Sequence, residues 1–178
     1  GLSNPTDSAV LSQLRRIADV VIVGAGTARS EEYGPPRKLG QRIGVVTASA
    51  RIDESRPLFT SGAGFLITTE SASVPAGIDA VRAGTERVDL TAAVHRLDRV
   101  CDAVRFVQCE GGPTLNGAML DADLIDEINL TSSPLAVGAD GPRVTNGAGH
   151  HAARFELAQL AVDDDSFVFA RWLRRRDG

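Results

Sequence analysis

Val20-Val21-Ile22-Val23-Gly24-Ala25-Gly26-Thr27 is the stretch on which the reading of the fold turns. Four β-branched residues in a row, without polar alternation, describe a strand covered on both faces, the habit of parallel sheets. The run halts at two glycines. Upstream, Val10, Leu11, Leu14 and Ile17 recur at helical spacing and predict a buried stripe. Asp7 or Ser8 is expected to cap this helix, with Arg15 and Arg16 on its other side. Downstream, further strands are expected over residues 42–47, 65–68, 80–83, 104–109 and 126–131. Helices are expected over 89–100, capped by Asp89, and over 114–120. The last two apolar segments, 154–162 and 166–173, flank Asp163-Asp164-Asp165 and read as a hairpin. Strands that alternate with helices predict one α/β domain around a mostly parallel sheet, made mixed by its terminal antiparallel hairpin.

The Gly24-Ala25-Gly26 turn invites a Rossmann interpretation, which the neighbouring residues oppose. The third glycine of such a fingerprint falls at Arg29, whose bulk blocks close helix–strand packing. The following residues run into Gly34-Pro35-Pro36, expected to be a surface loop, and no acidic residue closes the next strand near Thr47. Two readings stay open for this turn. Its glycines supply positive φ, or their bare backbone lets a phosphate or sugar approach the strand end.

Cys109-Glu110-Gly111-Gly112-Pro113-Thr114-Leu115 is the second informative stretch. Gly111 and Gly112 leave backbone N–H groups uncovered at a helix start, which favours an anion. Pro113 suits the first turn, where its missing N–H costs nothing. Thr114 adds a hydroxyl. Glu110 is the odd residue, because a carboxylate repels an anion. It accepts hydrogen bonds from its own turn, or it binds a sugar hydroxyl or an amide of a ligand; it is also a candidate proton donor.

The 178 residues carry a formal charge of −4, with 43% hydrophobic and 24% charged residues. This is the composition of one globular domain and argues against a general basic surface for nucleic acid or anionic membrane. Its apolar runs are too short to span a bilayer. Two cysteines, Cys101 and Cys109, make neither a disulfide framework nor a four-ligand zinc site, and free thiols point to the cytoplasm. His95 and the His150-His151 pair are expected at the surface, so no metal is expected. Ser12, Ser61 and Ser133 lack a nucleophile elbow. Arg174-Arg175-Arg176 reads as a solvated tail.

Taken together, Ala18-Asp19 with 20–27, Glu110-Gly111-Gly112-Pro113-Thr114-Leu115, and Leu124-Ile125-Asp126-Glu127 leading into Pro134-Leu135-Ala136-Val137-Gly138 resemble the reductase domain of riboflavin biosynthesis, a dihydrofolate-reductase-like family. The resemblance implies a three-layer α/β/α sandwich, NADPH bound across the strand ends, a homodimer, and reduction of a ribosylaminopyrimidine phosphate or a related pterin-like ring. By position it assigns Gly24, Gly26 and Thr27 to one wall of the cofactor cleft, and Glu110, Gly111, Gly112, Thr114 and Leu115 to the other. Thr47, Ser49 and Arg51 are expected near an adenosine 2′-phosphate, Thr68 near ribose or adenine, and Arg29 at the substrate. The family's opening strand has no counterpart ahead of Gly1, so the domain is expected to lack its first strand. The family's stretch after the threonine is replaced here by Arg29-Ser30-Glu31-Glu32-Tyr33-Gly34. No zinc-deaminase signature occurs. A nucleotide-binding module without turnover is the alternative in another functional class.

Overall fold

The computed structural model describes residues 2–138, 141, 143–147, 149 and 152–176. Five strands, β1 (Val20–Gly24), β2 (Arg42–Val46), β3 (Gly64–Thr68), β4 (Ala80–Arg82) and β5 (Val107–Cys109), form a wholly parallel sheet in the order β4–β3–β2–β1–β5. Val20 of β1 lies opposite Arg42 of β2 and Val107 of β5.

The β-branched run makes β1 an inner strand because both its faces are covered. Val20 and Ile22 point into one core with Phe65, Ile67, Val81, Leu90, Leu97, Leu115 and Met119. Val21 and Val23 point into the other with Ile43, Val45, Leu58, Phe59 and Leu66. Burying each such side chain contributes about 1.5–3 kcal/mol, so these four residues alone anchor the strand. Helices α4 (Leu90–His95) and α5 (Pro113–Asp121) cover the first face; α2 (Ala25–Ser30) and α3 (Pro57–Thr60) cover the second. The result is the expected α/β/α sandwich.

The remaining strands, β6 (Glu127–Ser132), β7 (Phe155–Val162) and β8 (Val168–Arg174), form a separate antiparallel sheet in the order β6–β8–β7. The expected hairpin is β7–β8. Its turn closes because Asp163 Oδ1 accepts the N–H groups of Asp165, at 3.0 Å, and Phe167, at 2.9 Å. The Nδ2 of Asn4 donates to Asp163 Oδ2 at 2.8 Å and holds that carboxyl below its ordinary pKa.

Four local expectations need correction. Helix α1 (Pro5–Ile17) is capped by Asn4, whose side chain accepts the Asp7 N–H, because the helix starts at a proline one turn earlier than expected. Its apolar stripe is not covered: Val10, Leu11 and Ile17 stay exposed and no residue of α1 is buried. The glycine turn does open a helix, α2, though one of only six residues before the Pro-rich loop ends it. The expected 89–100 helix keeps its Asp89 cap but tightens after His95 into a 3₁₀ turn, Leu97–Arg99, that still buries Leu97. His150 and His151 lie outside the described residues.

Candidate functional site

In the parallel sheet, β2, β3 and β4 lie to one side of β1 and β5 to the other. The strand order therefore reverses between β1 and β5, and open α/β sheets bind ligands outside the carboxyl ends of their strands at such a reversal. Both glycine motifs end there. The Gly24 N–H donates to Gly111 O at 2.6 Å, and the Glu110 N–H to Ile22 O at 2.9 Å. A Cβ built on Gly112 stands 2.8 Å from Thr27 Oγ1, and one on Gly24 stands 3.4 Å from Gly111 O. The two corners thus touch through bare backbone. Gly111, at φ +81°, adopts a conformation that an L side chain rarely takes. Gly26 differs: a Cβ there meets nothing within 4 Å and projects into open space.

Gly24 caps α2 and Gly112 caps α5, neither with a side-chain hydrogen bond. The first-turn N–H groups of the nine-residue α5 are left for a ligand or water, save at Pro113, which has none. Thr114 is exposed beside them. This set of uncovered donors, open space at Gly26 and the hydroxyls of Thr27 and Thr114 fits the diphosphate of a nicotinamide dinucleotide. Leu115 contributes differently from its expected role: its side chain is buried in the core, against the position where a Gly24 Cβ stands.

Glu110 is the centre of a clamp. Its Oε1 accepts from Arg15 Nε at 2.6 Å and from Gln108 Nε2 at 3.0 Å; its Oε2 accepts from Arg15 Nη2 at 2.5 Å and from the Tyr33 hydroxyl at 2.6 Å. The side chain is 6% exposed. The Arg15 guanidinium also lies 5.4 Å from the centre of the Tyr33 ring. Its partnership with Glu110 holds the guanidinium pKa above its ordinary value. Burial, then the hydrogen bond to Glu110, pushes the Tyr33 phenol up. Of the two readings of Glu110, neither names these partners: its acceptor capacity is spent on two remote segments, through Arg15 and Tyr33, and on Gln108 of the strand that precedes it. The repulsion expected between this carboxylate and an anion is offset by Arg15. Sequence reasoning missed Arg15, Tyr33 and Gln108. Only the i, i+2 spacing of Gln108 and Glu110 at a strand end offered a local signal.

The other assigned residues lie around the ends of β2 and β3. Thr47 is buried and donates its N–H to Ile67 O at 3.0 Å. Ser49 and Arg51 are exposed beyond it, on either side of Ala50, whose φ of +52° turns the chain. Thr68 is 0% exposed; its hydroxyl faces Ala48 O at 3.5 Å, beside that of Thr69 at 3.2 Å. It braces the β2 turn from beneath and does not line a surface, which corrects its expected place at ribose or adenine. Arg29 is exposed on α2 and lines a shallow depression with Arg51 and Arg56. Cys109 and Cys101 are both free thiols, each pushed up by burial. Among the described residues no cluster of His, Cys, Asp or Glu is arranged to hold a metal ion, and no helix is long and apolar enough to cross a membrane.

A parallel α/β sandwich with its ligand crevice at the β1/β5 reversal, flanked by an antiparallel three-stranded sheet, is a dihydrofolate-reductase-like domain. In shape it is similar to a pyrimidine reductase-like protein from Corynebacterium diphtheriae, at a TM-score of 0.82 and 23% identity over 99% of this chain and 84% of that one. The chain belongs to the RibD C-terminal domain family, whose model matches residues 1–169. Two relatives are named 2,5-diamino-6-ribosylamino-4(3H)-pyrimidinone 5′-phosphate reductase. That from Methanothermobacter thermautotrophicus is 28% identical over 166 residues, 83% of this chain and 74% of the relative. That from Archaeoglobus fulgidus is 26% identical over 168 residues, 82% and 76% of the respective chains.

Proposed function

We propose that the chain is an NADPH-dependent reductase acting on a ribosylaminopyrimidine phosphate of the kind named for its two archaeal relatives. The observation that carries this reading is the abutment of the Gly24–Thr27 and Gly111–Leu115 corners at the strand-order reversal. In this reading the diphosphate lies over Gly26 and the first turn of α5, and the adenosine end extends over the close of β2 toward Ser49 and Arg51. Such a cofactor, when bound, supplies a hydride. The chain's own part is to bind and orient. Glu110 acts as a brace that fixes its glycine turn to α1 and to the Tyr33 loop; the proton for the acceptor comes from water or from the family's opening strand.

Titration calorimetry of the full chain with NADPH and with NADH, followed by NADPH oxidation with phosphorylated ribosylaminopyrimidines, tests this reading. Saturable binding and turnover support it. Binding without turnover over a broad acceptor panel replaces it with a nucleotide-binding module, and no binding of either coenzyme removes it.

The reading includes a homodimer and the cytoplasm, where two free thiols stay reduced. Val10 of α1 and Leu130 and Val162 of the antiparallel sheet are exposed around a groove of about 310 Å³, which also takes in Phe169. A second copy covering this face is what the exposed residues favour.

A further inference from the structure

Asn116 is out of place by helix propensity. It lies in the interior of α5, where asparagine is disfavoured because its side chain competes for backbone partners. Here both arms of the carboxamide reach outside the helix. Nδ2 donates to the Val144 carbonyl at 2.9 Å, and Oδ1 accepts from the Cys109 thiol at 3.6 Å. Burial pushes that thiol up, so it stays protonated and able to donate at neutral pH. The same carboxamide packs under the glycine corner: a Cβ built on Gly111 stands 3.2 Å from Nδ2 and 3.4 Å from Oδ1. One side chain thus joins the end of β5, the Gly111 turn and residues 143–147.

The described residues of 143–147 form neither helix nor strand, so their backbone groups need partners elsewhere, and α5 supplies them. The Asn146 N–H donates to Pro113 O at 2.9 Å, which sets the Asn146-Gly147 turn, with Gly147 at φ +73°, against the start of α5. At the far end of the helix the Gly149 N–H is shared by Asp121 Oδ1 at 3.1 Å and Oδ2 at 3.0 Å. A carboxylate in a last turn opposes the helix dipole, and this contact offsets that cost. Residues 143–147 and Gly149 are therefore strapped to α5 at Pro113, Asn116 and Asp121. The tip of the strap borders the first-turn N–H groups and the exposed Thr114.

We propose that Asn116 is a positioning residue: it latches residues 143–147 to the glycine corner, and the latched strap holds the coenzyme on the first turn of α5 and slows its departure. This role rests on the reductase reading, which seats the coenzyme there. Asn116 touches no reacting group and acts through Gly111 and Val144.

The test compares the full-length wild type with Asn116→Asp and Asp121→Ala. Asn116→Asp keeps the shape and the acceptor for Cys109 but turns the donor into an oxygen that repels the Val144 carbonyl. Asp121→Ala releases Gly149 about 12 Å along the helix from Pro113, at an exposed position, and serves where the first variant perturbs folding. Stopped-flow release of NADPH, steady-state kinetics, and hydrogen–deuterium exchange over 143–147 give the readout. In Asn116→Asp, exchange is expected to rise and NADPH to leave about tenfold faster. KM for NADPH rises in step, while kcat and the acceptor KM move less than about twofold. Asp121→Ala is expected to show the same split at about two- to fivefold. Unchanged release in both variants overturns the latch. So does a fall in kcat with both KM values shifting together, the mark of a residue that serves stability alone. A wild type that binds neither coenzyme removes the reductase reading and the latch with it; a wild type that binds, matched by both variants, removes the latch alone.

Discussion

The backbone N–H of Gly24 meets the carbonyl oxygen of Gly111 at 2.6 Å, and through this contact two turns from opposite halves of the chain become one surface. Glycines in that surface have unequal duties. A methyl at Gly26 enters open space, whereas one at Gly112 stands 2.8 Å from Thr27 Oγ1. Gly26→Ala is expected to fold as well as the parent, or better by up to about 1 kcal/mol from helix propensity, while weakening NADPH binding at least tenfold. Gly112→Ala is expected to cost about 1–3 kcal/mol because Thr27 or the turn must shift. Chemical denaturation paired with coenzyme titration separates the two.

The Glu110 clamp predicts a graded series. Glu110→Ala strands the Tyr33 hydroxyl and the Gln108 amide and frees Arg15, at an expected cost of about 2–3 kcal/mol, moderated because Arg15 is 40% exposed. Tyr33→Phe removes one hydrogen bond and is expected to cost about 1–2 kcal/mol. Urea midpoints that do not move in either variant count against the clamp.

Alkali is expected to destabilise the fold. Burial pushes the Cys101 thiol up to about 11 from an ordinary value of 9.0, and the Tyr33 phenol is shifted upward as well. Between the ordinary and raised values the folded chain keeps protons that the unfolded chain has released. The unfolded state then binds fewer protons, so stability falls as pH rises. The contribution of the thiol is intact below about pH 9 and lost as pH climbs through about 11. Denaturation across that range shows the decline, and in Tyr33→Phe the phenol's share of it disappears.

Thr68 offers a direct check of a corrected assignment. Thr68→Val keeps the shape of a fully buried side chain and removes a hydroxyl that faces Ala48 O. Coenzyme affinity is expected to stay within about twofold, and stability within about 1 kcal/mol. A tenfold loss of affinity without loss of stability would return Thr68 to the binding surface.

Self-association is expected to depend on β7. Its residues Leu160 and Val162 are 57% and 63% exposed. Sedimentation should give a dimer for the parent and a monomer for Val162→Asp; a wild type that sediments as a monomer at high concentration removes the dimer.

What the sequence revealed and what it hid have a common cause. The run at 20–23 announced an inner strand because double-sided burial demands apolar residues at every position, and the glycine pairs announced turns because little else fits them. Helix spacing also placed a stripe on α1, but periodicity names a face without naming its neighbour. Val10 and Ile17 therefore passed for core, and Arg15, on the face read as solvent, went unseen as the partner of Glu110. Six-residue α2 was hidden by its glycines and by the prolines after it. Thr68 shows the same limit at a strand end, where position in the sequence does not tell whether a hydroxyl points up or inward.

Arg15 and Glu110 are separated by 95 residues, and Tyr33 and Glu110 by 77. Neither Arg15 of α1 nor the Tyr33 loop can complete the clamp until β5 has entered the sheet. Closure of such long loops is entropically expensive and belongs late in assembly. A ligand that binds only the assembled crevice would therefore stabilise the finished fold by mass action and leave shorter fragments unsupported.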